Sequence, residues 1–227
     1  MMPKSRIIHR CLPLLKRYTM HRLTIQTNKL IAVLTKISLF AGLLLLAFSC
    51  NNGTASAQNG EPVIGKVNPK NPLRQDPGFT GDTKKVRSLI LRMAEAKVKT
   101  NERVCLPVET TGFKDLLGFQ FTMRFDSAAL KYEFVRGMKL PGYGSDKFGV
   151  RFADRGYVSS LWTDPDIVSG SSLADGTKLF EICFTNLMKK GEETEVKFQD
   201  GPTAFEVISN KMEQLRLVYA NGKVMSR

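Results

Sequence analysis

The sequence predicts an all-β domain, two sheets packed as a sandwich of about nine strands. The first observation is the alternation within residues 112–126 (GFKDLLGFQFTMRFD). There Phe119, Phe121, Met123 and Phe125 share one parity, and Gln120, Thr122, Arg124 and Asp126 share the other. A strand with four large apolar residues on one side has one buried face, and a second layer must cover it. The second observation is residues 177–187 (TKLFEICFTNL), whose apolar side chains occupy both parities, as in a strand deep inside a sandwich. Third, the chain after Thr100 consists mostly of short apolar runs separated by Gly, Pro, Asp and Asn, the residues that build turns.

The 227 residues, 42% of them apolar, are enough for one core. Residues 37–48 (ISLFAGLLLLAF) carry no charge and follow a basic segment ending at Lys36. Twelve residues fall short of the roughly 20 that span a bilayer, so residues 1–50 read as a signal sequence with a basic leader. Two processing sites compete. Ala47-Phe48-Ser49-Cys50 resembles a bacterial lipobox, with lipid attached to Cys50, although Phe48 is bulkier than the motif's usual residue. Ala55-Ser56-Ala57 is a small-x-small site whose cleavage after Ala57 would release a soluble protein. The first is preferred because Cys50 closes the apolar run, and it places an exported lipoprotein at the bacterial cell envelope. Met20 is a second candidate start beside Met1, since residues 20–36 suffice as a basic leader.

Residues 51–83 are rich in Asn, Gly and Pro, including Pro62, Pro69, Pro72 and Pro77, and read as a flexible tether. Residues 84–227 form the sandwich domain. Within it, Leu89, Leu91 and Met93 alternate in a first strand that runs on to Val98, although Leu-Arg-Met-Ala-Glu-Ala would also suit a helix. Residues 103–110 (RVCLPVET) give a second strand, which Pro107 marks as an edge or a bulge. After the central strand come residues 130–135, a loop over 136–146, a short strand at 148–152, and a strand at 157–162. A polar loop over 167–176 precedes the strand at 177–187. Residues 195–198, 204–207 and 215–219 supply the last strands, with Asn221-Gly222 as a closing turn.

The formal charge of +13 suggests nucleic acid until it is divided along the chain. Residues 1–50 hold eight Lys and Arg and no Asp or Glu, so the remainder carries +5 and no basic stripe. Both histidines, His9 and His21, also lie in the leader, which leaves the exported domain no histidine base, triad member or metal ligand. Cys105 and Cys183 sit in strand-like segments, either as small buried thiols or as a disulfide formed on export.

A series of segments resembles a known family. VCLPV at 104–108, GFKDLLGFQFTMRFDSAAL at 112–130, LPG at 140–142, LWTDP at 161–165, ADGTKLFEICF at 174–184 and PTAFEV at 202–207 look like a cohesin-type domain. The form is that seen in exported Bacteroidetes lipoproteins. The resemblance implies a jelly-roll or immunoglobulin-like sandwich in which Gln120 and Phe121 lie on a core strand. Residues 125–130 correspond to the family's Trp/Phe-Asp-Pro-x-x-Leu corner, with Ser127 in place of proline. It also implies a non-catalytic module that binds dockerins, calcium-loaded helical modules on other proteins, in the assembly of polysaccharide-degrading complexes. The calcium belongs to the partner, so neither metal nor cofactor is assigned to this chain.

Three aromatic residues are candidates for a binding surface. Tyr143, between Gly142 and Gly144, is expected on an exposed loop, with Tyr157 next. Trp162 shares a strand parity with Val158 and Ser160, so it reads as core before it reads as a sugar platform. These residues define the alternative, a carbohydrate-binding surface lipoprotein. A glycoside hydrolase would need paired carboxylates, for which Asp164 with Asp166 and Glu192 with Glu193 are candidates, although turn residues flank both pairs. Asp164, Asp166 and Asp175 lack a recognisable calcium-ligand spacing.

Overall fold

The computed structural model describes residues 60–82 and 86–227. The apolar run, Cys50, the alternative site at Ala57, both histidines and the first part of the expected tether lie outside the described residues. The strands are β1 (Val63–Ile64), β2 (Arg74–Gln75), β3 (Ser88–Met93), β4 (Glu95–Val98), β5 (Arg103–Thr111), β6 (Leu116–Arg124) and β7 (Leu130–Arg136). They continue with β8 (Phe148–Gly149), β9 (Tyr157–Thr163), β10 (Thr177–Asn186), β11 (Glu193–Gln199), β12 (Glu206–Ser209), β13 (Arg216–Ala220) and β14 (Gly222–Ser226). Two single-turn 3-10 segments, Ser145–Lys147 and Ala153–Arg155, flank β8.

The strands form two sheets packed face to face. The first runs β2-β13-β3-β5-β10-β7, with β1 also paired to β5. The second runs β4-β14-β11-β6-β9-β8, with β12 also paired to β6. Phe119, Phe121 and Met123 of β6 point into the interior, with Phe125 buried just beyond the strand, as the alternation requires. Across from them, Phe180, Ile182 and Phe184 of β10 close the core. The rings interlock, Phe121 standing edge-on to Phe198 at 5.3 Å and Phe125 to Phe184 at 4.9 Å.

Two strands change sheet without turning back. β3 pairs with β5 as far as Met93, and after Ala94 the chain enters the second sheet as β4. β13 and β14 run parallel to β3 and β4 and make the same crossing at Asn221. Asn221-Gly222 is therefore a sheet change rather than the expected closing turn. Gly222 is needed there because a Cβ would lie 2.7 Å from the Met93 side chain and 2.8 Å from the Ala94 carbonyl oxygen.

The expected tether over 51–83 is corrected by this architecture, because its described part belongs to the sandwich. When β3 leaves β5, the Val104 and Cys105 stretch of β5 keeps β10 on one side but would lack a neighbour on the other, and β1 supplies it in parallel pairing. Gly65 N donates to the Cys105 carbonyl, and Lys66 exchanges two backbone hydrogen bonds with Glu95. Farther on, β2 pairs with β13 at the sheet margin. Few apolar side chains are needed for this, since the docking is through backbone, which composition does not reveal. Pro107 is likewise not on an edge strand. It falls between Cys105, which pairs with β1, and Val108, which pairs with β3, where a missing N–H costs the ladder nothing.

Candidate functional site

The outward surface of the second sheet is built around β6, with β9 on one side and β11 and β12 on the other. Register sets its rows. Glu206, Gln120 and Leu161 lie abreast, and Ile208, Gly118 and Thr163 form the next row. Gly118 approaches β9 so closely that a Cβ would meet the Trp162 carbonyl oxygen at 2.8 Å, so the sheet has no side chain there and a hollow forms. Leu161 is 50% exposed on its wall. Two loop tips rise beside it, Ile167 (72% exposed) from the β9–β10 loop and Met212 (75%) from the β12–β13 turn. Together with Leu117 and Ile208 they enclose about 440 Å³ of largely apolar space. Exposed apolar side chains gathered around a concavity, with Glu206 and Gln120 at its margin, are the composition of a contact surface.

The aromatic residues expected to form a binding surface lie elsewhere. Tyr143 is 4% exposed, a correction to its expected place on an open loop. Its hydroxyl shares a hydrogen bond of 2.6 Å with Ser160 Oγ, and its ring packs against Phe119 and Phe148. Burial drives its hydroxyl pKa far above the ordinary value, and the bond to Ser160 offsets part of that. Gly142, at φ 65°, makes the tight turn that folds the loop back over the sandwich and directs this ring inward. Trp162 is 1% exposed, and its indole N–H donates to the Pro141 carbonyl at 2.8 Å, so it offers no sugar platform. Tyr157 is half-buried on the outer face, with the Arg124 guanidinium 5.3 Å above its ring.

Cys105 and Cys183 are joined by a disulfide across opposed positions of β5 and β10, with 4.0 Å between their Cα atoms. The candidate carboxylates have local partners. Asp164 Oδ1 accepts the Asp166 N–H, and Asp166 Oδ1 accepts the N–H groups of Val168 and Ser169, which hold its carboxyl below the usual range. Asp175 accepts the Gly112 N–H at the β5–β6 turn, so the three aspartates do not converge. Glu192 accepts the Lys189 N–H, and Glu193 faces Lys223 at 3.1 Å. Among the described residues, one group of three potential metal ligands comes together, Cys105, Glu181 and Cys183, and its sulfurs are taken up in the disulfide.

Sequence reasoning missed the hollow. Leu161, Ile167 and Met212 come from three separate segments, and only the β6–β9 and β6–β12 pairings bring them together. The nearest sequence signal was the apolar Ile167-Val168 pair in a loop otherwise rich in Asp, Ser and Gly.

The fold and this face together define an all-β sandwich module with one open, partly apolar sheet surface. No protein-family model matches the sequence, and no curated protein matches it. Solved structures do match. A type I cohesin in complex with a dockerin, from Clostridium thermocellum, superposes with a TM-score of 0.53 at 16% identity, covering 62% of this chain and 99% of the other. The sixth cohesin of Acetivibrio cellulolyticus scaffoldin B, in complex with a mutant dockerin, gives 0.52 at 17% identity, covering 63% and 100%. The solution structure of the Clostridium acetobutylicum cohesin CaCohA2 gives 0.50 at 17%, covering 63% and 94%. The described domain has the cohesin fold.

Proposed function

We propose that this chain is a non-catalytic binding module that captures a dockerin-type protein on the outer face of its second sheet. The observation that carries the reading is the hollow between Leu161, Ile167 and Met212, three apolar residues left exposed among the described residues. Cohesins of the same fold occur in complex with dockerins, which supports the choice of partner. The calcium such a partner requires would be held by the partner. Lipid on Cys50 would keep the module at the cell envelope, where polysaccharide-degrading proteins could be gathered. A sugar-binding reading based on Tyr143 and Trp162 loses those residues to the core.

The test is capture by the immobilised full-length chain, purified in mild detergent, first in calcium and then in chelator. A bound protein whose sequence carries calcium-binding dockerin repeats, and which chelator releases, is the expected outcome. Leu161→Arg should weaken that capture about tenfold or more, because a charge placed in a desolvated apolar contact costs about 1.4 kcal/mol or more. Its melting temperature should stay unchanged, since the side chain is half exposed. Capture that survives both Leu161→Arg and Ile167→Asp would remove the face from consideration.

A further inference from the structure

A second concavity lies at the opposite end of the same sheet surface, and its chemistry differs from that of the hollow. It encloses about 740 Å³ and is lined by Arg124 at the end of β6, Asp126 just beyond it, Arg155 from the second 3-10 segment, and Glu193, Glu195 and Lys197 of β11. Lys197, Arg124 and Tyr157 lie abreast across β11, β6 and β9, so two cationic side chains stand in one row.

The arginines are held in place without being neutralised. The Arg124 guanidinium lies 5.3 Å over the Tyr157 ring, and that of Arg155 lies 5.5 Å over the Phe152 ring. Arg151 approaches the same Phe152 ring at 5.7 Å, and Phe152 itself is 44% exposed. Among the described residues no carboxylate lies within ion-pair distance of any of these three arginines. The contrast is with Arg136, which pairs with Glu181 at 2.7 Å. The acidic residues of the lining are partly engaged, Glu193 by Lys223 at 3.1 Å and Glu195 by Lys197 at 3.6 Å. Asp126 turns Oδ1 back to the Ala128 N–H. A guanidinium ordered on a ring presents its forked donors outward with little rotamer freedom left to lose, and a carboxylate matches that fork.

The rest of the lining selects among carboxylate ligands. Ser127, Thr194 and Gln199 can donate or accept, and Glu193 and Glu195 retain free acceptor lone pairs. A peptide rich in Asp and Glu would bring a denser run of charge against those glutamates and offer them backbone N–H donors alone. A sugar ring bearing one carboxylate and several hydroxyls satisfies both sets, with the acid on the arginines and the hydroxyls on Glu193, Glu195 and Gln199. From this lining we infer that the groove between Arg124, Arg155 and Glu195 binds an acidic oligosaccharide, one whose sugar units carry carboxylates. This site stands on its own observations and is independent of the apolar hollow and its protein partner.

Titration calorimetry on the full-length chain in mild detergent tests it, with oligogalacturonate, a neutral oligosaccharide of equal length and an acidic peptide as probes. Oligogalacturonate alone should bind, with affinity falling as salt rises. Arg124→Ala with Arg155→Ala should weaken it at least tenfold, whereas Leu161→Arg should leave it unchanged. Both changes are at exposed positions, and circular dichroism reports whether the variants fold. Arg124→Lys with Arg155→Lys keeps the charge and removes the planar fork, so it should recover only part of the affinity. Equal binding of the neutral sugar, binding of the acidic peptide in place of oligogalacturonate, or binding unaffected by the double alanine variant would each overturn the assignment. No binding of oligogalacturonate would overturn it as well, while leaving the protein-partner face untouched.

Discussion

Glu181 is a buried carboxylate on the strand that carries the deepest residues of the core. Its side chain is 5% exposed, and Arg136 and Lys178 both pair with it from the strand surface, where they are 42% and 40% exposed. Burial by itself would raise its pKa, but the hydrogen bonds from Lys178 and Arg136 outweigh burial and hold it below the ordinary 4.5. A folded-state pKa below the unfolded value adds stability that is complete above the unfolded value and is lost as pH falls through the folded one. Melting temperature should therefore drop more steeply for the native chain than for Glu181→Gln as pH falls through and below the ordinary 4.5. Near neutrality the variant should be less stable by about 1 kcal/mol, because water screens the two half-exposed cations. Parallel pH slopes for the two proteins would show that other carboxylates dominate acid unfolding. Tyr143 shows what one residue does not reveal in sequence. Its flanking glycines signal a tight turn equally well whether the ring points to solvent or, as here, into the core.

Elements were legible where their periodicity was strong. β6 and β10 follow their apolar patterns closely, because each has a large hydrophobic face that the sheet must bury. β1 and β2, two residues each, carry no such pattern and are held by backbone pairing to β5 and β13. The edge strand β7 shows another feature that is invisible in its sequence. Glu133 is an extra residue between Tyr132 and Phe134 in the pairing with β10, a bulge that together with Lys131 discourages further strands from adding there. The docking of β1 can be tested at Gly65, where a Cβ would lie 2.9 Å from the Glu95 carbonyl oxygen and 3.1 Å from both Ala94 and Leu106. Gly65→Val should cost about 1–3 kcal/mol by overpacking and speed amide exchange at Gly65 and Lys66. Unchanged exchange would mean that this segment contributes nothing to the sandwich.

At the scale of the molecule, the disulfide ties strands separated by 78 residues that already face one another in the first sheet. Closing a loop of that length in the unfolded chain is the larger part of its effect in the chain-entropy view. Replacing Cys105 and Cys183 together by Ala should lower unfolding free energy by about 2–4 kcal/mol in urea titration, with the fold retained. A loss well under 1 kcal/mol would place the value of the bond elsewhere. The second sheet presents an apolar hollow at one end of β6 and an arginine-bearing groove at the other, so one face offers two surfaces of different chemistry.

By itself the sequence determined the all-β class, the inward set of β6, the depth of β10 and the concentration of more than half of the excess positive charge in residues 1–50. Each of these follows from local periodicity or composition, which a chain cannot hide. Only the tertiary structure decided which sheet each strand joins, that β1 and β2 add to the first sheet, and that Tyr143 is core, whereas the strand parity of Trp162 already placed it there. It also brought Leu161, Ile167 and Met212, and separately Arg124, Arg155 and Glu195, to common sites. The reason is physical: strand pairing joins residues far apart in sequence through backbone hydrogen bonds that are nearly the same for every side chain. No local pattern records which partner a strand will take.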